Sequence, residues 1–345
     1  MKLPLVTVVI PSFNHEKFIG KAIESVLRQT YDRLEIIIID DGSKDNSPDI
    51  IRCYQDVRIR FIEQENQGAH NTINRGLRMA KGDYLCILNS DDEFHPDRIK
   101  KILDRITEDK TSGLACSYIE VINSFGKSLG IKEGARNLDP WPVKNEELTF
   151  KAIDCLPLNL LMSNFISTTS NMFFSRSFWK EVGPFRNLRF THDWDFALRA
   201  AEHSPIMLVP EPLVRYRIHE NNTIRENKVA MVFEIAWVLA ENLHRYVQKD
   251  FIPFEKPEEL EIFTERFHNS LYVYGCDKEL FTILWMILAS RKLGYEKFSE
   301  CLLEENHPVR KYLLGQIREK LGKNISDRKK KGTEDMLGYI RKKLL

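Results

Sequence analysis

The chain has no close pair of cysteines. Its six cysteines stand at positions 53, 86, 116, 155, 276 and 301 of 345, and no two have CxxC spacing. A disulfide frame and a thiolate zinc site are therefore excluded as organising features, and the thiols suit a reducing compartment. There is no surplus of charge either. Fifty-one Lys and Arg face 50 Asp and Glu, a net of +1, so no global field draws the chain to nucleic acid. No late apolar run is long enough for a bilayer: residues 280–289 (LFTILWMILA) fall short of the roughly 20 required and read as a buried helix. The opening run MKLPLVTVVIPSFN is broken by Pro11 and lacks a small-residue cleavage site, so it is not expected to be a signal peptide. The loop after the first apolar run, Pro-Ser-Phe-Asn-His-Glu, contains no glycine, which argues against a Gly-rich triphosphate cradle.

What is present is a globular balance, 43% hydrophobic and 29% charged. The first hundred residues alternate in texture. Apolar runs at 5–10, 34–39 and 84–88, with a shorter one at 59–63, read as strands. Their continuity suits parallel strands covered on both faces. Between them, 17–28, 47–55, 71–80 and 97–107 carry apolar residues at helical spacing. This order predicts an α/β fold, a mostly parallel sheet with helices on both faces. Such sheets bind ligands beyond the carboxyl ends of their strands. Polar clusters fall there: Pro11-Ser12-Phe13-Asn14, Asp40-Asp41-Gly42-Ser43 and Asn89-Ser90-Asp91-Asp92.

Further on, strands are predicted at 115–121, 168–175, 206–209 and 213–217, helices at 177–182 and 192–203, and a loop over 124–150. After about residue 226 the pattern becomes helical, which puts a boundary near 222–228: a domain over 1–225 and a helical C-terminal domain over 226–345. From 306 to 345 there are 12 Lys and Arg against 4 Asp and Glu, leaving the rest of the chain net acidic. The amphipathic end at 335–345 suits either a solvated helix face or an anionic membrane surface.

Adjacent carboxylates such as Asp91 and Asp92 are costly to bring together unless a cation sits with them, and hard oxygen ligands suit Mg²⁺ or Mn²⁺. The same pair would also serve to cap a helix. Asp41 is placed either to accept hydrogen bonds from a nucleobase or simply to form a turn, with Asp40 holding the loop. Asp193, at a helix start in Thr-His-Asp-Trp-Asp, is either a general base or a helix-end carboxylate. His219 is either a metal or diphosphate ligand or a structural histidine.

Taken together these residues resemble a known family. The runs VTVVIPSFNHEKFIGKAIESVLRQTYDRLEIIIIDDGSKDNS and ENQGAHNTINRGLRMAKGDYLCILNSDDEFHPDRI, followed by NMFFSRSFWKEVGPF, THDWDFALR and VRYRIH, are similar to family 2 glycosyltransferases of the GT-A fold. The resemblance covers about residues 5–220. It implies an inverting, Mg²⁺- or Mn²⁺-dependent transfer of a sugar from a nucleotide diphosphate donor, UDP-sugars being common, to a hydroxyl of a glycan or lipid-linked glycan. It implies a nucleotide pocket of Pro11, Ser12, Asn14 and Asp41, with Asn74 and Gly76 on the supporting helix and Asn74 counted among the pocket residues. Asp91 and Asp92 match the metal and ribose motif, Asp92 being expected as the direct ligand; His219 matches a metal or diphosphate ligand and Asp193 the catalytic base. A cytoplasmic or peripheral place at the inner membrane face follows from the same analogy and the basic tail. Two departures stand out: Asn89 where the family often has Asp, which removes a formal charge from the metal site, and His192 where it often has Glu. A histidine beside the base predicts a rate that depends on pH near neutrality. The rival readings are a nucleotidyltransferase, which the glycine-free loop disfavours, and a non-catalytic sugar-nucleotide-binding scaffold.

Overall fold

The computed structural model describes residues 3–248, apart from 110, 134–159, 162, 221 and 224–225, together with 300 and short stretches between 302 and 318. The expected helices beyond 248, the 280–289 run and the basic tail at 335–345 lie outside the described residues.

Strands β1 (Val6–Ser12), β2 (Leu34–Asp40), β3 (Ile59–Glu63) and β4 (Tyr84–Ile87) alternate with helices α1 (Ile19–Leu27), α2 (Ser47–Arg52) and α3 (Ala69–Met79). After a two-residue strand β5 (Glu93–Phe94) come α4 (Arg98–Glu108) and β6 (Leu114–Asn123). The chain then runs through β7 (Ser128–Lys132), a 3₁₀ turn (Thr169–Asn171), β8 (Phe173–Ser175), α5 (Arg176–Val182), α6 (His192–Ala201), β9 (Ile206–Ile218) and α7 (Lys228–Gln248).

One nine-stranded sheet runs in the order β3-β2-β1-β4-β8-β6-β9-β5, with β7 paired to β6. The β3-β2-β1-β4 half is parallel, as is β6 with β9; β8, β5 and β7 are antiparallel to their neighbours. Along β1, Val6, Val8 and Ile10 enter one apolar core and Val9 the other. Both faces of this central strand are thus buried, and each fully buried aliphatic contributes on the order of 1.5–3 kcal/mol. Because β2 lies on one side of β1 and β4 on the other, the direction in which strands are added to the sheet reverses at β1, which opens a crevice at the strand ends.

Three local differences from the expected elements have physical causes. The stretch predicted as a strand at 168–175 begins with the 3₁₀ turn, because Thr168 accepts from the Ser170 N–H and breaks the ladder. The two strands predicted at 206–217 are one, β9, whose register against β6 shifts where Pro210 and Pro212 withdraw N–H donors. Part of the loop predicted over 124–150 is the strand β7. Past the predicted boundary, α7 packs into the same apolar core as α6, through Val232, Phe233, Ala236 and Trp237 against the layer holding Trp194 and Phe196.

Candidate functional site

The site is assembled where β1, β2 and β4 end. Asn14 turns through a left-handed conformation (φ 53°), one that Asn tolerates better than most residues. Its N–H donates to Ser43 Oγ at 2.9 Å, and its Oδ1 accepts from the Lys44 N–H at 2.7 Å. The first two strand-end loops are thereby locked together. Asp40 accepts from the N–H and Oγ of Ser43 at 2.8 and 2.7 Å, which holds the turn. Asp41 accepts from Gln64 Nε2 (2.6 Å) and from the N–H groups of Gln67 (2.8 Å) and Gly68 (2.9 Å), at the start of α3. Pro11 and Ser12 close β1, and Ser12 Oγ is buried without a hydrogen-bond partner among the described residues.

Asn74, on α3, is turned towards the segment before α6. Its amide donates to Phe185 O at 2.7 Å and accepts from Phe185 N at 2.9 Å, so both of its ends brace the turn before α6. Gly76 lies against β1 so closely that a Cβ there would meet Val9 Cγ1 at 2.3 Å.

The two adjacent aspartates point into different surroundings. Asp92, expected as the direct metal ligand, is 1% exposed. Its Oδ2 accepts from Ser170 Oγ at 2.6 Å and its Oδ1 from the Arg217 N–H at 2.9 Å. Asp91 instead meets His219, whose Nε2 is 3.0 Å from Asp91 Oδ2. With His15 these form a cluster whose ligand atoms all lie within 4.8 Å of one another. Of the two aspartates expected at a metal, Asp91 is the one grouped with His15 and His219 in a set that could hold an ion; Asp92 is not part of that set. Burial and the charge of Asp91 push the Asp92 carboxyl well above the usual range. Burial works the same way on Asp91, but the hydrogen bond from His219 and the nearby His15 and His219 outweigh it and hold Asp91 below that range.

Arg217 frames this pair. It is fully buried over the Phe18 ring (5.1 Å), donates to the Asp91 carbonyl at 2.8 Å and pairs with Glu93. Asn89 is held by its side chain between Thr168 Oγ1 (3.0 Å) and Thr169 Oγ1 (2.8 Å). An amide offers a donor and an acceptor for these two hydroxyls, which a carboxylate would not.

Asp193 sits in the first turn of α6 and is 8% exposed. Its Oδ1 accepts from the Trp194 N–H at 2.7 Å and its Oδ2 from Asn164 Nδ2 at 3.2 Å. His192, expected to act on Asp193, instead places Nδ1 3.1 Å from Leu188 O and its ring against Phe185. Asn164 Oδ1 accepts from the N–H of Ser167, a non-glycine residue at φ 73°, and Lys132 donates to Ser167 Oγ. Burial pushes the Lys132 ammonium down to about 7, opposed by the charge of Asp193.

His15, Asn164, Ser170, Lys132 and Arg217 were not singled out from the sequence. His15 directly follows the strand-end turn, and that position is the one signal that would have found it. The others become visible only through contacts across 29 to 126 residues of chain.

The glycosyl transferase family 2 model matches residues 7–166. EpsH of Bacillus subtilis (strain 168), named as a glycosyltransferase, is 30% identical over 270 residues, covering 76% of this chain and 75% of that protein. The chain belongs to glycosyl transferase family 2. It spans 66% to 75% of the length of the first relatives it matches. Among solved structures, Staphylococcus aureus TarS 1–349 in complex with UDP-GlcNAc matches with a TM-score of 0.52 at 16% identity, over 86% of this chain and 88% of that one. The Pyrobaculum calidifontis mannosyltransferase PcManGT in complex with GDP-Man and Mn²⁺ matches with a TM-score of 0.51 at 16% identity, over 95% and 88%. At such identities the likeness is one of fold, and the fold is GT-A.

Proposed function

We propose that this chain is an inverting glycosyltransferase that moves a sugar from a nucleotide diphosphate sugar, UDP-linked in the first instance, to a hydroxyl of a glycan or lipid-linked glycan in surface polysaccharide synthesis. The observation that carries the reading is the segment 164–170. It binds Asp193 through Asn164, Asn89 through Thr168 and Thr169, and Asp92 through Ser170. One short segment thus ties the strand-end residues Asn89 and Asp92 to the carboxylate best placed to take a proton.

Ser12 Oγ, Asn14 and Asp41 line the nucleotide side. A carboxylate has about four lone-pair directions, so Asp41 retains roughly one for a base N–H. The donor set of His15, Asp91 and His219 fits a divalent cation. Two imidazoles and one carboxylate lean towards Mn²⁺ over Mg²⁺, which prefers an all-oxygen shell. When bound, such a cation supplies positive charge beside the donor diphosphate. Asp193 accepts the proton of the acceptor hydroxyl as its oxygen forms a bond to C1 of the sugar. The C1–phosphate oxygen bond breaks on the opposite face, and the bonding pair leaves with the nucleoside diphosphate. The domain over 1–225 carries this chemistry. The part over 226–345, expected from the sequence to be helical and mostly outside the described residues, shapes the acceptor side, and its basic end suits contact with an anionic membrane surface. No helix among the described residues is long and apolar enough to cross a membrane.

The test is release of nucleoside diphosphate from a panel of UDP-, GDP- and dTDP-sugars with Mn²⁺, with Mg²⁺ and with EDTA, alongside donor binding. The proposal expects release from one donor, faster with Mn²⁺ than with Mg²⁺ and lost with EDTA. Binding with no release under any acceptor mixture would favour a non-catalytic binder. The absence of both binding and release would overturn the reading.

A further inference from the structure

Helix α6, which carries Asp193 in its first turn, does not cap itself. Thr191 stands at its N-cap and makes no side-chain cap hydrogen bond. The preceding donors turn instead to Glu234, 43 to 45 residues later on α7. Glu234 Oε1 accepts from the Arg189 N–H at 2.9 Å, and Oε2 accepts from the Phe190 N–H at 2.7 Å and from Thr191 Oγ1 at 3.3 Å. All three donors lie within four residues of the proposed base.

Glu234 is 2% exposed. Burial pushes its carboxyl up, while the two backbone N–H groups and the charges of Arg310 and His192 pull the other way. A buried carboxylate is a costly way to hold a turn that apolar packing or a Thr cap would hold. What a carboxylate adds is direction, since two oxygens accepting from consecutive N–H groups fix the register of the segment. The same face of α7 continues the grip. Two turns on, Glu241 pairs with Arg186 at 3.5 Å, and the Trp237 ring lies under the same guanidinium at 5.5 Å. Arg186 also reaches Asp195 at 3.3 Å, so the clamp extends into α6 itself. Just before α7, Glu226 takes the Arg189 side chain at 2.5 Å.

We infer that Glu234 is a positioning residue for Asp193, and that α7, beyond the family-matched stretch, belongs to the catalytic apparatus by setting where α6 begins. This rests on the reading of Asp193 as the base. A small displacement of a reacting group costs rate without costing donor affinity, because the donor is held by other elements.

The experiment compares the full chain with Glu234→Gln, which keeps the shape but turns one acceptor into a donor. Glu234→Asp, which keeps the charge but withdraws it by one methylene, is the second variant should the first fail to fold. Amide hydrogen exchange is read over 188–194 and over β1. Turnover is read with whichever nucleotide sugar of the donor panel is turned over, in the wild-type and Asp193→Asn backgrounds. Exchange at Arg189 and Phe190 should rise about tenfold or more with β1 unchanged. The kcat should fall about tenfold or more with the donor KM within about twofold. In the Asp193→Asn background Glu234→Gln should add no further loss, since it acts through that carboxylate. Unchanged exchange over 188–194, an unchanged kcat, or an equal loss in both backgrounds would each overturn the inference. Where no donor is turned over, the exchange result decides alone. Wild-type turnover in Asp193→Asn by itself would sink the base assignment, while the exchange data would still read the Glu234 contact.

Discussion

Asp92 gives both carboxylate oxygens to the protein, one to Ser170 and one to the Arg217 backbone, whereas Asp91 turns its carboxylate towards His219 and His15. Removing charge from each should therefore have different consequences. Asp91→Asn should weaken Mn²⁺ binding at least about tenfold, read by titration with paramagnetic resonance, with little effect on melting. Asp92→Asn should cost about 1–3 kcal/mol of stability, because an amide replaces a carboxylate that accepts from both Ser170 Oγ and the Arg217 N–H. The opposite pattern, with Asp92→Asn abolishing Mn²⁺ binding in a folded protein, would restore Asp92 as the ligand. The sequence marks the Asp-Asp pair plainly. It does not say which of the two faces the crevice, because that depends on Arg217 and Ser170, which lie far along the chain.

Among the elements, the alternating apolar runs of the first hundred residues were legible because both faces of the parallel strands are buried. Strands built on few or exposed residues were not. Strand β7 is five residues long with Gly130 at its centre and exposes its two apolar side chains, Leu129 and Ile131, yet it delivers Lys132, 3% exposed, to the segment that holds Asp193. Burial gives Lys132 a folded-state pKa of about 7, well below that of an unfolded lysine. Between these values the unfolded chain binds the extra proton, so the penalty is full below about pH 7 and is relieved as pH rises. Relative to Lys132→Met, the wild type should gain about 2 kcal/mol of unfolding free energy between pH 7 and 9, measured by denaturant titration. Parallel curves for the two proteins would show that Lys132 keeps its proton throughout.

At the scale of the whole molecule, the texture change near residue 226 was readable in the sequence, but the packing across it was not. Periodicity marks where helices occur and leaves open what their faces meet. Here Phe233 and Trp237 complete the core under α6, while Glu234 and Glu241 reach the segment before it. The segment 164–170 links the strand-end crevice to Asp193, and α7 holds the residues just before it. The proposal that Asp193 is the base is tested most directly by the single-turnover rate of sugar transfer with Mn²⁺, wild type against Asp193→Asn, with donor binding followed in parallel. With Asp193 as the base, the rate should fall about 10²–10⁴-fold with donor affinity retained. A rate within about twofold of wild type, with the donor bound equally well, would contradict it.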